Sequence, residues 1–213
     1  MKTFTLAKNY LKSIFSEAFL KETLFYYTDR HGQILKVERK IIKDKILRRS
    51  DIPSKENLSE VIIGSTVLEI DACAFSEFYD LTKVTLNNNL SKIGISAFDG
   101  CMNLKEIVIP KSVVEIEKSA FASCMNLKEV KIPNGDIKEI KPFTFANCTS
   151  LEYVSIPKQI NKIGVDAFYS CPNLKNVVFK GKTENQIRKM ENFPWCIHIP
   201  FDPFNKGHIT TEK

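Results

Sequence analysis

The stretch Ala97-Phe98-Asp99-Gly100-Cys101-Met102-Asn103-Leu104 returns as Ala120-Phe121-Ala122-Ser123-Cys124-Met125-Asn126-Leu127. It returns again as Thr144-Phe145-Ala146-Asn147-Cys148-Thr149-Ser150-Leu151 and as Ala167-Phe168-Tyr169-Ser170-Cys171-Pro172-Asn173-Leu174. A weaker copy runs from Ala74-Phe75 to Leu81 with Phe78 in the cysteine position, and a partial turn starts at Leu58. The closing leucines stand at 58, 81, 104, 127, 151 and 174, a period of 23 residues with one interval of 24. The longer interval holds Pro133-Asn134-Gly135-Asp136, a turn with one extra residue. Self-similarity at a fixed period of roughly 20–50 residues is the mark of a stacked architecture, and it settles the fold before any local structure is argued.

Each unit reads in physical terms. Leu104, Ile107 and Ile109 recur as Leu127, Val130 and Ile132 and as Leu151, Val154 and Ile156, ending in the period-2 alternation of a short half-buried strand. Pro110, Pro133 and Pro157 end these strands, because proline has no N–H for a ladder. A second apolar pair follows (Val113 and Ile116, Ile137 and Ile140, Ile160 and Ile163), and the Ala-Phe pair then drives a ring inward as the chain turns back. One unit cannot cover its own apolar side; stacked units can, strand on strand about 4.8 Å apart. The expectation is an α/β solenoid, a right-handed parallel coil of about six turns.

The unit Ile-Pro-x-x-Val/Ile-x-x-Ile-x-x-x-Ala-Phe-x-x-Cys-x-x-Leu-x-x-Val resembles the BspA-type leucine-rich repeat over residues 57–180. The resemblance implies a curved solenoid with a parallel sheet on one side, binding of proteins or surface ligands, and no catalysis. Many members resemble secreted or wall-attached adhesins.

The flanks do not repeat. In residues 1–56, Leu6, Tyr10, Leu11, Ile14, Phe15, Ala18 and Phe19 fall at helical spacing, predicting an amphipathic helix over 5–22. Leu24-Phe25-Tyr26-Tyr27, the turn Asp29-Arg30-His31-Gly32 and Ile34-Leu35-Lys36-Val37 predict a β-hairpin. Together they would cap the first turn of the solenoid. Residues 181–202 form the opposite cap: a helical stretch from Thr183 to Met190, then Phe193 to Ile199, with the only tryptophan, Trp195, as aromatic cover and a last strand near Ile197–Ile199. That strand would leave an open edge able to pair with a second copy. Residues 203–213 read as a loose tail.

The 213 residues are 43% hydrophobic and 26% charged, which excludes wholesale disorder. No apolar run approaches the length of a membrane span. Met1-Lys2-Thr3 is not followed by an apolar signal-peptide core, so the expected location is cytoplasmic, with the six cysteines (73, 101, 124, 148, 171 and 196) reduced. The net charge of +6 belongs entirely to residues 1–56. There Lys36, Arg39, Lys40, Lys43, Lys45, Arg48 and Arg49 form a basic strip that could meet phosphate or an acidic partner, although no nucleic-acid-binding motif accompanies it.

No phosphate loop, dinucleotide fingerprint, nucleophile elbow or zinc-protease motif occurs, and none of His31, His198 and His208 has a carboxylate or thiol at motif spacing. The chain therefore reads as a non-enzyme with no cofactor. Cys101, Cys124, Cys148 and Cys171 would stack in one column, a line of small buried hydrophobes rather than a tetrahedral metal site. Cys73 and Cys196 lie off it, as candidate exposed thiols.

Outward strand positions form columns that would build a two-signed binding face: Lys83, Glu106, Glu129, Tyr153 and Asn176 in one, Val108, Lys131, Ser155 and Val178 in the next. A flat face of this kind suits a protein partner better than a small molecule. The expected function is a protein-binding scaffold, in its narrower form an inhibitor of a host protein encoded by a phage or mobile element. The alternatives are nucleic-acid or acidic-partner binding through the basic strip, and an adhesin-like surface module.

Overall fold

The computed structural model describes residues 21–190 and 209–212. The chain begins there with the expected hairpin, β1 (Glu22–Thr28) antiparallel to β2 (Ile34–Ile41). Gly32 supplies the left-handed residue of the turn, at φ 77°. Asp29 Oδ1 accepts the N–H groups of His31 and Gln33 at 2.9 and 2.8 Å. Strand β1 lies antiparallel to β4 (Leu58–Ile62), the first strand of the repeats. Thr23, Phe25 and Tyr27 alternate inward and are buried, Phe25 and Tyr27 in one core with Leu58. The hairpin thus covers the apolar start of the coil. The helix expected over 5–22 lies outside the described residues except at its end, where Glu22 opens β1.

Every turn then offers three sides for hydrogen bonding to its neighbours. On the first side, β4 continues parallel to β6 (Lys83–Thr85), which is joined to the next turn by a single bridge, Lys83 to Glu106. Beyond it a second four-stranded sheet comprises β9 (Glu129–Lys131), β11 (Tyr153–Ile156), β13 (Asn176–Lys180) and β14 (Ile209–Glu212), all parallel. On the second side run two-residue strands: β3 (Ile46–Leu47), β5 (Glu69–Ile70), β7 (Lys92–Ile93) and β8 (Glu115–Ile116) in one sheet, β10 (Glu139–Ile140) and β12 (Lys162–Ile163) in another. Strand β3, within residues 1–56, adds a rung ahead of the repeats by pairing Leu47 with Ile70.

The third side is the Ala-Phe corner. Phe75, Phe98, Phe121 and Phe145 donate their N–H groups to Ala97, Ala120, Thr144 and Ala167 at 2.8–2.9 Å. Two left-handed residues per turn flank each of these phenylalanines, such as Ser119 (φ 57°) and Ser123 (φ 56°) around Phe121. They aim alternate N–H groups along the coil axis, so Ser119 and Ser123 also donate to the next turn, at 3.1 and 2.7 Å.

The rings themselves stack. Phe75, Phe98, Phe121, Phe145 and Phe168 are all fully buried, with successive centroids 5.1, 5.3, 5.6 and 5.6 Å apart and planes within 10° of parallel. The leucines at 58, 81, 104, 127, 151 and 174 are buried in the same core. The cysteine column packs beside them, and each thiol donates to the carbonyl of the phenylalanine one turn back: Cys101 to Phe75 (3.0 Å), Cys124 to Phe98 (3.3 Å), Cys148 to Phe121 (3.3 Å) and Cys171 to Phe145 (3.2 Å). A small side chain with one weak donor fills that corner.

Helix is scarce for an α/β coil. Among the described residues the one α-helix is α1 (Glu184–Arg188), whose N-cap Thr183 forms a capping box with Gln186. It falls inside the stretch expected to be helical, and Ile187 buries against the last turns. Phe193–Ile199, including Trp195 and Cys196, lies outside the described residues. The loose tail expected over 203–213 is corrected in part: Ile209–Glu212 forms β14 on β13, Ile209 joins the core, and Gly181 N–H donates to the Glu212 carbonyl at 2.6 Å. One buried aliphatic in a polar segment is enough to dock a strand when an edge is waiting beside it.

Truncating one ring of the stack, Phe121→Ala, leaves a cavity shared by two turns. The expected cost is about 3–5 kcal/mol, read as a fall in the urea unfolding midpoint.

Candidate binding surface

Alternation along the first-side strands throws one set of side chains outward, and the coil lines them up at one per turn. Of the residues expected on this face, Lys83, Glu106, Val108, Glu129, Lys131 and Asn176 are exposed and Tyr153 is half-buried. Val108 stands out at 78% exposed, the most open of the large hydrophobics among the described residues. The charges around it pair within the face: Lys83 with Glu106 at 3.7 Å and Lys131 with Glu129 at 2.6 Å. The hydrogen bond that Lys131 donates to the Glu129 carboxylate holds its ammonium pKa above the ordinary value.

Two expected members are not on the open surface. Ser155 and Val178 point outward in the alternation, yet they are only 4% and 5% exposed. Period-2 patterning separates the two faces of a sheet; it does not say whether other chain lies over one of them. At the opposite end Glu60 is 8% exposed, beside Tyr26 across the β1–β4 ladder. Burial raises the Tyr26 phenol pKa, with nearby Arg39 opposing it. The first column therefore stays open from Lys83 to Asn176, while the second column is closed from Ser155 onward and Glu60 closes the opposite end.

The sequence did not reveal that the hairpin turn stands beside this face. Residues around Asp29–Gln33 face Ser59, Thr82 and Lys105 across a polar groove of about 1050 Å³. The turn itself was readable; its position depends on β1 pairing with β4, which no local signal announces.

The basic strip is brought together only in part. Lys36 pairs with Glu38 at 2.5 Å and lies over the Tyr27 ring, and Lys40 pairs with Asp51 at 2.9 Å. Arg48 is bound to Asp44 and reaches Asp71. Arg49 donates to the Ser76 carbonyl at 2.8 Å and covers the Phe78 ring. These four cations are engaged in holding the hairpin and the first turns together rather than arrayed toward a phosphate backbone. Lys43 is exposed, and Lys45 takes a left-handed φ of 67° at the bend into β3.

Among the described residues no group of three His, Cys, Asp or Glu could hold an ion. Burial pushes the Cys101 thiol pKa up to about 12 and that of Cys171 up to about 11, and it drives Cys124 and Cys148 well above the ordinary thiol range. Cys73 is exposed, in the left-handed position that Ser96 and Ser119 occupy in later turns. No helix among the described residues is long and apolar enough to cross a membrane.

A repeating strand–strand–phenylalanine corner with a flat outward sheet defines a leucine-rich-repeat solenoid. Residues 68–197 match the family model of the BspA type leucine rich repeat region in six copies, and the chain belongs to that family. The T. pallidum leucine rich repeat protein is 32% identical over 56% of this chain and 57% of its own, with a TM-score of 0.54. A leucine rich cell surface protein from Faecalibacterium prausnitzii is 30% identical, covering 62% of this chain and 41% of that one, with a TM-score of 0.51. The pneumococcal vaccine antigen PcpA is 26% identical, covering 75% and 38%, with a TM-score of 0.56. The matched region thus spans about half the length, or less, of these relatives. No curated protein matches the sequence.

The buried thiols make stability depend on alkaline pH. Their folded pKa values lie above the unfolded ones, so above about pH 9 the unfolded chain sheds protons that the folded chain keeps. Stability is fully present below that pH and falls as pH rises toward the folded values. The denaturant midpoint is expected to drop between pH 8 and pH 10, and less steeply in a Cys124→Ala/Cys148→Ala variant.

Proposed function

We propose that the protein is a non-catalytic scaffold that binds another protein through the open first-side face, from Lys83 to Tyr153. The observation that carries this reading is Val108, 78% exposed among charges that are already paired with one another. An exposed aliphatic flanked by paired charges offers apolar area to a partner without requiring those charges to be desolvated singly. Tyr153, at the edge of the same face, adds an amphipathic ring of the kind that anchors interfaces. Membership of a leucine-rich-repeat family supports the same reading, since a stacked coil is a rigid means of displaying a wide surface. Inhibition of a host protein by a phage-borne factor is one form such binding could take.

The naming of the F. prausnitzii relative as a cell surface protein favours an adhesin-like use as the second reading. Accessibility of the protein to protease on intact cells separates it from a cytoplasmic scaffold.

The binding test places a photo-crosslinking side chain at Val108, and separately at Val165, which is 52% exposed but lies on the Phe-corner side. Crosslinks to a second protein in host extract are expected from position 108 and not from position 165. A Lys131→Glu/Tyr153→Ala variant is expected to lose about tenfold in affinity for that protein. Equal crosslinking from both positions would remove the face from consideration.

A further inference from the structure

The one 24-residue interval leaves a physical mark. At most interfaces between turns, hydrogen bonds form on all three sides. Between the Leu127 and Leu151 turns, for example, β9 pairs with β11 on the first side, and Asn161 and Gly164 donate to Lys138 and Ile140 at 2.9 and 2.7 Å on the second. Between the Leu81 and Leu104 turns, Val114 and Glu117 donate to Ser91 and Ile93, both at 2.9 Å. Between the Leu104 and Leu127 turns the corresponding bonds from Lys138 to Val114 and from Lys141 to Ile116 are missing, and no ladder joins Glu106–Ile109 to β9. Both sheets break at this one interface.

The Phe corner does not break there. Ser119, Phe121 and Ser123 donate to Pro142, Thr144 and Ala146 at 3.1, 2.9 and 2.7 Å, and Phe121 stacks on Phe145. The extra residue lies in Asn134-Gly135-Asp136, where the neighbouring turns carry two residues, Lys111-Ser112 and Lys158-Gln159. Gly135 approaches the preceding turn so closely that a Cβ there would sit 2.9 Å from the Lys111 carbonyl. A cavity of about 130 Å³ opens between Val114–Ile116 and Lys138–Lys141. Lys141 spans it, 2.5 Å from Glu139 on its own turn and 3.9 Å from Glu115 on the other.

We propose that this interface is a hinge: the coil bends between two blocks of turns, opening on the strand sides about the intact Phe corner. Those three bonds, the ring stack, the Cys148 thiol on the Phe121 carbonyl and, at the end of the corner, the Ser150 N–H on the Met125 carbonyl at 3.0 Å hold one edge of the interface as an axis, while the two strand sides carry a 130 Å³ gap and one long ion pair that resist rotation weakly. Val108 and Glu106 stand on one block and Glu129 and Lys131 on the other. On the reading that this face binds protein, a partner spanning them would select one degree of bend. The hinge itself does not depend on that reading.

The test is a distance measurement on the free protein, with Cys73 and Cys196 replaced by serine and spin labels in two pairs. Glu69 and Lys162 lie on the second strand side, and Ala72 and Val165 on the Phe-corner side; both pairs are four turns apart, about 20 Å, and both span the interface once. The strand-side distribution is expected to be about twice as wide as the corner-side one. Replacing Asn134–Gly135–Asp136 by the Lys-Gln of the following turn should restore the 23-residue spacing and narrow it to the corner-side width. Equal widths in the wild-type chain overturn the hinge, and that comparison stands whether or not the shortened variant folds. Because no partner is present, failure of the binding reading leaves this result unaffected.

Discussion

Everything in this molecule follows from the need of each turn to hide one apolar side against the next. A turn of about two dozen residues has too little interior to fold alone. Stacked at a spacing near 5 Å, the same residues build a continuous core of phenylalanine, leucine and cysteine columns. The Phe corner is the strictest part of the arrangement. It carries unbroken backbone hydrogen bonding from the Cys73 turn to the Tyr169 turn, and it does so with left-handed residues that are mostly not glycine. That backbone strain is tolerated because three interturn hydrogen bonds and a buried ring depend on it.

The same constraint explains what the sequence disclosed. Columns are legible because stacking forces the same side chain into the same environment once per period; the inward leucines, phenylalanines and cysteines could be assigned from spacing alone. The hairpin was legible through its alternation and Gly32. Features that depend on a meeting of distant segments were not. Nothing local says that β1 pairs with β4, that β3 belongs to the second sheet, or that Ile209 returns to β13. The burial of Ser155 and Val178 was missed for the same reason, since alternation is blind to whatever lies above a strand. The insertion after Pro133 was visible as an irregular interval, but its effect on two sheets at once depends on how neighbouring turns meet, which no local pattern encodes.

Charge is used in this protein chiefly for internal order. Alternating Glu69, Lys92 and Glu115 face one another across the second-side strands, and the Glu115 carboxylate is the main cause of the raised Lys92 pKa. Lys83 and Lys131 have carboxylate partners on the first side, and the basic strip ties the hairpin to the first turns. Exposed pairs of this sort contribute little each to stability, but two of them, Lys83–Glu106 and Glu129–Lys131, occupy the rungs around Val108.

The most direct test of the stacking principle is to excise one whole turn, residues 104–126, so that Asn103 joins Leu127 in the register that Asn126 now holds. If turns are interchangeable rungs, the shortened chain folds cooperatively, with far-ultraviolet dichroism of the same shape and a denaturant m-value lower by about a tenth, in proportion to the surface removed. A chain that fails to fold, or that loses cooperativity, would contradict it.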